Sequence, residues 1–258
     1  MNSKKEKLAR FGMVAKGMVY AIIGMLTAMA AFNLGGSKSG QQNALQFLRE
    51  QPFGKVLLVI LGIGLFGYTF YRWYEALKGS GDSWSELKGF VKRSGYIISG
   101  IFYGALGLTA VKMVVAGSSG SGSDSMITTL MSKSYGPYLL SFVALCIAGK
   151  AIFQTYKAYS GKFRDDVNES NLGPKGKKVL IRAGEIGFTA RGIVSGIVAF
   201  LLFKVAIGSG GSSGGKVAAF DFLQDTLGAV AMGVVALGLV AYAVFMFIQA
   251  RYAQIKLN

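Results

Sequence analysis

Residues 10–24 read RFGMVAKGMVYAIIG, a stretch in which glycines recur among apolar residues at helical spacing. The arrangement returns in residues 93–107, RSGYIISGIFYGALG, where the arginine, the three glycines and the tyrosine keep their positions. A looser third copy, EIGFTARGIVSGIVA, occupies residues 185–199. A second apolar segment follows each copy, so the chain is predicted to consist of three repeats of two helices. These repeats cover residues 9–78, 93–159 and 182–252 of a single membrane domain, 1–258.

The apolar residues are gathered into runs long enough to cross a bilayer. Hydrophobic residues make up 52% of the 258-residue chain and charged residues only 16%. A helix needs about 20 apolar residues to cross roughly 30 Å of hydrocarbon. The sequence therefore predicts an all-α integral membrane protein with six transmembrane helices. Their predicted bounds are 13–34, 54–77, 95–116, 135–159, 186–208 and 227–252.

The repeats also predict symmetry. Each contains an even number of spans, so all three enter the membrane in the same orientation and form a pseudo-threefold arrangement about an axis along the membrane normal. The first helix of each repeat carries small residues on one face, where helix backbones can approach closely in lipid. These helix-packing residues are Gly17, Ala21, Gly24, Gly100, Gly104, Gly107, Gly192, Gly196 and Ala199. The pattern leaves open whether these faces meet one another or the second helices of their own repeats.

The charged residues are sorted by side of the membrane. The net charge is +16, and most of the lysines and arginines outside the spans precede the first span or lie between spans two and three or four and five. The positive-inside rule places both termini and these loops in the cytoplasm. The first span also resembles a signal peptide, with Ala28-Met29-Ala30 as a cleavage site, but its apolar run is too long and its glycines recur in two later helices.

Short segments precede the second helices. Residues 44–49 and 217–224 are partly apolar, and two interpretations are open: an amphipathic helix at the interface, or an extension of the next span. The Gly/Ser-rich residues 117–123 and 208–215 are predicted to be flexible loops. Residues 210–216 match the start of a phosphate-binding loop, but Val217 replaces its Ser or Thr and no strand precedes it, so a loop is the better interpretation.

Lys150 is the most unusual residue, because it lies about 18 Å into the fourth span. A lysine at that depth predicts a candidate interior polar site, with Tyr68 and Tyr242 at the repeat-equivalent positions; the alternative is snorkelling to the interface. Lys16 and Arg191 share one repeat position near the inner surface. They are candidate lipid-headgroup contacts, although anchoring at the interface explains them as well.

This chain contains few of the side chains that catalysis usually requires. It contains no histidine, and no Asp or Glu lies in the middle of a predicted span. Arg72 and Glu75 are expected to form a local ion pair, and the single Cys146 is expected to be a small packing residue. We therefore expect no enzyme, no catalytic residues, no cofactor, no metal and no nucleic-acid partner.

Three features together resemble the bacterial membrane family named domain of unknown function 1206. They are the repeated Arg-x-Gly motif that runs from Arg10 to Tyr20, the turn Gln51-Pro52-Phe53-Gly54, and the glycine run from Gly62 to Tyr68. The resemblance covers the chain from about Ala9 to Tyr252 and is weakest in the third copy, where Ser195 and Leu227 depart from the pattern. It implies six transmembrane helices in a bacterial cytoplasmic membrane, and it implies no known activity.

Two functions remain open on the sequence. The leading interpretation is a non-enzymatic inner-membrane protein, a scaffold whose basic inner surface binds anionic lipid or a membrane-protein partner. The alternative is a small channel or carrier, selective for an anion, with Lys150 in its pathway.

Overall fold

The computed structural model describes residues 2–79, 87–116, 130–167, 172–208 and 216–252. The described residues form α-helices joined by turns, with a short π-helix at Glu75–Gly79 and a 3-10 helix at Lys162–Asp166. The α-helices are α1 (Asn2–Ala31), α2 (Gln41–Glu50), α3 (Gly54–Tyr74), α4 (Leu87–Val115), α5 (Gly136–Tyr159), α6 (Pro174–Ala206) and α7 (Lys216–Tyr252). The predicted loop 117–123 lies outside the described residues, as do residues 209–215 of the predicted loop 208–215. The match to a phosphate-binding loop, residues 210–216, lies outside them except for Lys216.

All of these helices except α2 are long and apolar enough to cross a membrane. The predicted all-α fold with six transmembrane helices is therefore confirmed. The helices α1 and α6 begin well before the predicted apolar spans, at Asn2 and Pro174, because their basic first turns continue the helix beyond the hydrocarbon-length segment. The N-terminal end of α1 lies beside the C-terminal end of α7, where the Arg10 guanidinium donates to the carbonyl of Ala250 at 2.7 Å. We call this the terminal end of the bundle.

The segments before the second helices are helical. In the first repeat, α2 is separate from α3, because Phe53 adopts a left-handed conformation, φ 61°, that ends one helix before the next begins. In the third repeat, α7 bends at Gly228, with φ 85° and ψ 169°, which separates residues 216–227 from the long span. Both short helices bury apolar side chains within the protein, including Leu45 on α2 and Phe220 before the bend.

The six spanning helices follow one another around a ring. In order, α4 packs on α3, α3 on α1, α1 on α7, α7 on α6 and α6 on α5. Three parallel two-helix repeats around an axis produce this order, with α1 and α3, α4 and α5, and α6 and α7 as the successive repeats. The described parts of α4 and α5 share no extended interface, and these two helices are the least buried of the six. Among the described residues the ring is therefore open on one side, and we call the opening between α4 and α5 the seam.

The small-residue faces meet the second helix of a neighbouring repeat. A Cβ on Gly24 of α1 would lie 2.7 Å from the carbonyl oxygen of Ala236 on α7, and one on Gly100 of α4 would lie 2.4 Å from Trp73 on α3. Likewise, one on Gly192 of α6 would lie 2.6 Å from Thr155 on α5. These faces therefore meet neither one another nor the second helices of their own repeats, which were the two alternatives left open by the sequence.

Candidate functional site

Cationic side chains from five helices converge inside the ring. Lys16 on α1 and Arg191 on α6 are only 4% and 9% exposed, although both positions were predicted to lie near the inner surface. They occupy equivalent repeat positions on first helices, and both side chains reach buried tyrosine rings, Lys16 that of Tyr68 and Arg191 that of Tyr242. The central cationic cluster consists of Lys16, Arg72, Lys150, Arg191 and Lys216, together with Tyr20, Tyr68, Tyr103 and Tyr242.

Tyr68 joins two of these cations. Its hydroxyl oxygen accepts a hydrogen bond from Lys16 Nζ at 2.8 Å and another from Arg72 Nε at 2.7 Å. The Tyr68 side chain is fully buried, and the Lys16 ammonium also lies 4.6 Å from the centre of the Tyr68 ring. Because both lone pairs of the hydroxyl accept from cations, its own proton is left to donate to another acceptor.

The second half of the cluster is built on aromatic faces. The Arg191 guanidinium lies 4.1 Å from the centre of the Tyr242 ring and 5.1 Å from that of Tyr20. Lys216, at the start of α7, places its ammonium 4.3 Å from the centre of the Tyr20 ring. That ammonium is buried. Ring faces attract cations but accept no conventional hydrogen bond, so most N–H donors of these groups remain available to a ligand.

Lys150 lies where the cluster meets the seam. Its side chain is exposed, yet its ammonium is within electrostatic range of Arg191, Lys216 and Tyr20. Lys150, which was predicted to lie in the interior, thus lies at the edge of the ring interior. The repeat-equivalent Tyr68 and Tyr242 are fully buried, and the Lys16 ammonium lies over both rings.

Repeat symmetry shows why the seam exists. A Cβ on Gly12 would lie 2.4 Å from the backbone nitrogen of Tyr68, and one on the equivalent Gly187 would lie 2.5 Å from the Cα of Tyr242. At the third equivalent position, Gly95 on α4, such an atom would find no described atom within 4 Å. The residue that should close this contact is Lys150. Where the other two repeats press a glycine against a tyrosine, the second repeat has an opening with a lysine at its edge.

Cys146 is a correction to the sequence analysis. It is exposed, although a packing role was expected. The reason is that α5 packs on α6 through another face, which includes Leu140, Ala144 and Ala151. Cys146 precedes Lys150 by one helical turn, so the two side chains lie on the same face of α5.

Positive charge is in large excess within the cluster. Arg72 is paired with Glu75, its NH1 lying 2.5 Å from the carboxylate, as the sequence predicted. That is the one carboxylate that the described residues place beside the five cations. A buried charge without a counter-charge is costly, so the remaining four cations require compensation. Tyrosine rings and hydroxyls supply part of it, and an anion would supply the rest.

The sequence identified Arg72 only as the partner of Glu75, and it did not identify three further members of the cluster as site residues. Tyr20 and Tyr103 occupy equivalent positions, and their hydroxyl oxygens lie 3.4 Å apart. Their repetition was a usable signal. No sequence signal identified Lys216, because this residue reaches the cluster only through the helix that precedes the bend at Gly228.

The described residues contain no group of three or more His, Cys, Asp or Glu side chains that could hold a metal ion. The ring order, the parallel repeats and the cluster define the class: a six-helix membrane protein of three two-helix repeats with a cationic interior. The chain belongs to the family described as Domain of Unknown Function (DUF1206), whose model matches residues 11–79, 94–161 and 186–253. The chain is also 26% identical over 203 residues to the uncharacterized protein YxxB of Bacillus subtilis (strain 168), covering 78% of this chain and 74% of that protein. No solved structure matches it significantly.

Proposed function

We propose that this protein binds an anion inside its ring of helices, at the central cationic cluster. The observation that carries the proposal is the charge imbalance: five cations face one carboxylate among the described residues, and Lys16 and Arg191 are almost fully buried. Lys16, Arg191 and Lys216 would neutralise the anion, and the Tyr68 hydroxyl would donate a hydrogen bond to it. An oxyanion suits this arrangement, because several donors from different directions match its several oxygens.

The test is the effect of anions on the thermal stability of the purified protein. Sodium phosphate is titrated at constant ionic strength, maintained with the bulky anion gluconate. A ligand that binds only the folded state raises its stability, so phosphate should raise Tm. Arg191→Met and Lys16→Met should weaken this response at least tenfold in phosphate concentration. Lys112→Met is the matched control, because Lys112 is an exposed cation on α4, and it should respond like the unsubstituted protein.

Stability without phosphate provides a second readout. Replacing one member of a group of like charges in the membrane interior with an apolar residue removes both its desolvation cost and its repulsion of the others. In gluconate, the Arg191→Met variant should therefore have a Tm equal to or higher than that of the unsubstituted protein. In phosphate, its Tm should be lower than that of the unsubstituted protein. The proposed site is refuted if phosphate does not change the Tm of the unsubstituted protein. It is also refuted if the Arg191→Met and Lys112→Met variants respond to phosphate alike.

Transport is a separate question that the same variants address. In the channel or carrier interpretation, the bound anion crosses the membrane past Lys150. Lys150→Met should then abolish anion flux into proteoliposomes while leaving the fold intact. If the unsubstituted protein binds phosphate but conducts none, it is a binding protein.

Lipid or partner binding at the surface is a second candidate. At the terminal end, a groove between α6 and α7 is lined by the basic Lys178 and Arg182 and by the apolar Val179, Ile186 and Val244. Paired cations above an apolar groove suit an anionic lipid, as in the scaffold interpretation. Lys178→Gln with Arg182→Gln should then lower binding to phosphatidylglycerol vesicles.

We further propose a non-enzymatic protein of the bacterial inner membrane with cytoplasmic termini. The distribution of lysine and arginine supports this orientation. On a Cys146→Ser background, a membrane-impermeant thiol reagent should label a cysteine at Gly211 in intact cells and spare one at Lys177. The reverse labelling pattern would invert the topology.

A further inference from the structure

The seam connects the central cationic cluster sideways to the bilayer. In a closed ring, α4 and α5 would pack as the other neighbours do, but here a Cβ on Gly95 would meet no described atom within 4 Å, and Lys150 is exposed. The surroundings of the seam are apolar: Phe102 on α4 and Phe153 on α5 are both more than 45% exposed. A hydrated ion would have to leave water to approach from this side, whereas a lipid already has its chains there.

Cations form a line from the terminal end to the cluster along α5. Lys157 and Lys150 are seven residues apart, so they lie on one face of the helix with two turns between them. Both are within electrostatic range of the buried Lys16. The line begins two residues before the end of α5 and therefore within reach of the headgroup layer at the terminal end.

We infer that the anion bound at the central cationic cluster is the headgroup of an anionic phospholipid, which enters through the seam from the leaflet at the terminal end. The inference rests on the proposed function and specifies its ligand. The phosphate passes Lys157 and Lys150 to reach Lys16 and Arg191, and the acyl chains remain in the seam between α4 and α5. Charge complementarity selects an anionic lipid, because a zwitterionic headgroup brings its own cation into a cluster that already has an excess.

The experiment compares lipid and free phosphate on the same variants. The purified protein in detergent receives phosphatidylglycerol, the same amount of phosphatidylcholine, or sodium phosphate. Phosphatidylglycerol at ten times its Kd should raise Tm by about 3–6 °C, and phosphatidylcholine should not. Cys146→Trp should abolish the phosphatidylglycerol response, because an indole one turn from Lys150 fills the seam. The matched control is Leu145→Trp, at a 70% exposed neighbour on another face of α5, and it should keep the response.

A second seam-filling variant tests whether a lost lipid response in Cys146→Trp comes from misfolding. Gly95→Leu fills the opening from α4, where a Cβ meets no described atom, so the fold should tolerate it. Both seam variants should retain the response to sodium phosphate, which needs no room for acyl chains. That result shows that the cluster is intact and only lipid access is lost.

The remaining outcomes separate the two proposals. If phosphate raises Tm but phosphatidylglycerol and phosphatidylcholine act alike, or if Cys146→Trp keeps the phosphatidylglycerol response, the anion is free in solution and the lipid inference is wrong. If neither phosphate nor phosphatidylglycerol acts, the proposed function fails as well. Rapid disulfide formation between Cys146 residues of two chains in membranes would show that a second copy covers the seam, and it would also overturn the lipid inference.

Discussion

Alanine substitutions at Gly12, Gly95 and Gly187 test the open ring directly. The three glycines are repeat equivalents on α1, α4 and α6. An added Cβ would lie 2.4 Å from the Tyr68 backbone nitrogen at Gly12 and 2.5 Å from the Tyr242 Cα at Gly187. Backbone atoms cannot rotate aside, so the two helices must separate. At Gly95 the same methyl group meets no described atom within 4 Å.

The expected magnitudes follow from two opposing effects. Overpacking a tight contact costs about 1–3 kcal/mol, and replacing glycine with alanine inside a helix contributes about 1 kcal/mol of stability. Gly12→Ala and Gly187→Ala should therefore lose up to about 2 kcal/mol. Gly95→Ala should lose nothing and gain up to about 1 kcal/mol. The difference between Gly12→Ala and Gly95→Ala is the packing cost alone, because helix propensity cancels.

The assay is thermal unfolding of the purified variants, followed by circular dichroism. A chain of this length shifts its Tm by about 2–4 °C per kcal/mol. Detergent, protein concentration and scan rate are held constant, because membrane proteins often unfold irreversibly. If Gly95→Ala lowers Tm as much as Gly12→Ala does, α4 packs on α5 and the seam is closed. If Gly12→Ala has no effect, the close contacts between α1 and α3 are wrong.

Three further substitutions have defined outcomes. Gly24→Ala should destabilise the protein more than Gly196→Ala. A Cβ on Gly24 would lie 2.7 Å from a backbone carbonyl oxygen, whereas one on Gly196 would lie 3.9 Å from a side-chain carbon. Equal Tm values for the two variants would contradict this ranking of contacts. Tyr68→Phe should cost about 1–3 kcal/mol, because it removes the hydroxyl that accepts from two cations, and a neutral effect on Tm would mean that water replaces it. Arg93→Met should lower Tm, because the Arg93 guanidinium donates to the Ala76 carbonyl at 2.8 Å and joins α4 to the π-helix that follows α3. An unchanged Tm would show that solvent satisfies that carbonyl equally well.

The fold was predictable from the sequence because its signals are local. A run of about 20 apolar residues predicts a span without reference to any neighbour. The glycine spacing of residues 10–24 shows which face of a helix is small, and its recurrence shows that three units share one orientation. The mid-span position of Lys150 also predicts a polar site from the sequence alone, because a charge at that depth is costly wherever the helix packs.

The partners of those faces were decided by tertiary structure. The small face of α1 meets α7, at the other end of the chain, because packing in lipid depends on the shape of two surfaces and a helical period describes only one of them. The cluster likewise unites Lys16, Arg191 and Lys216, whose separate positions resemble ordinary interface anchors. The seam is the clearest case. Gly12, Gly95 and Gly187 look alike in sequence, and only the position of the facing helix shows that one of the three contacts is open.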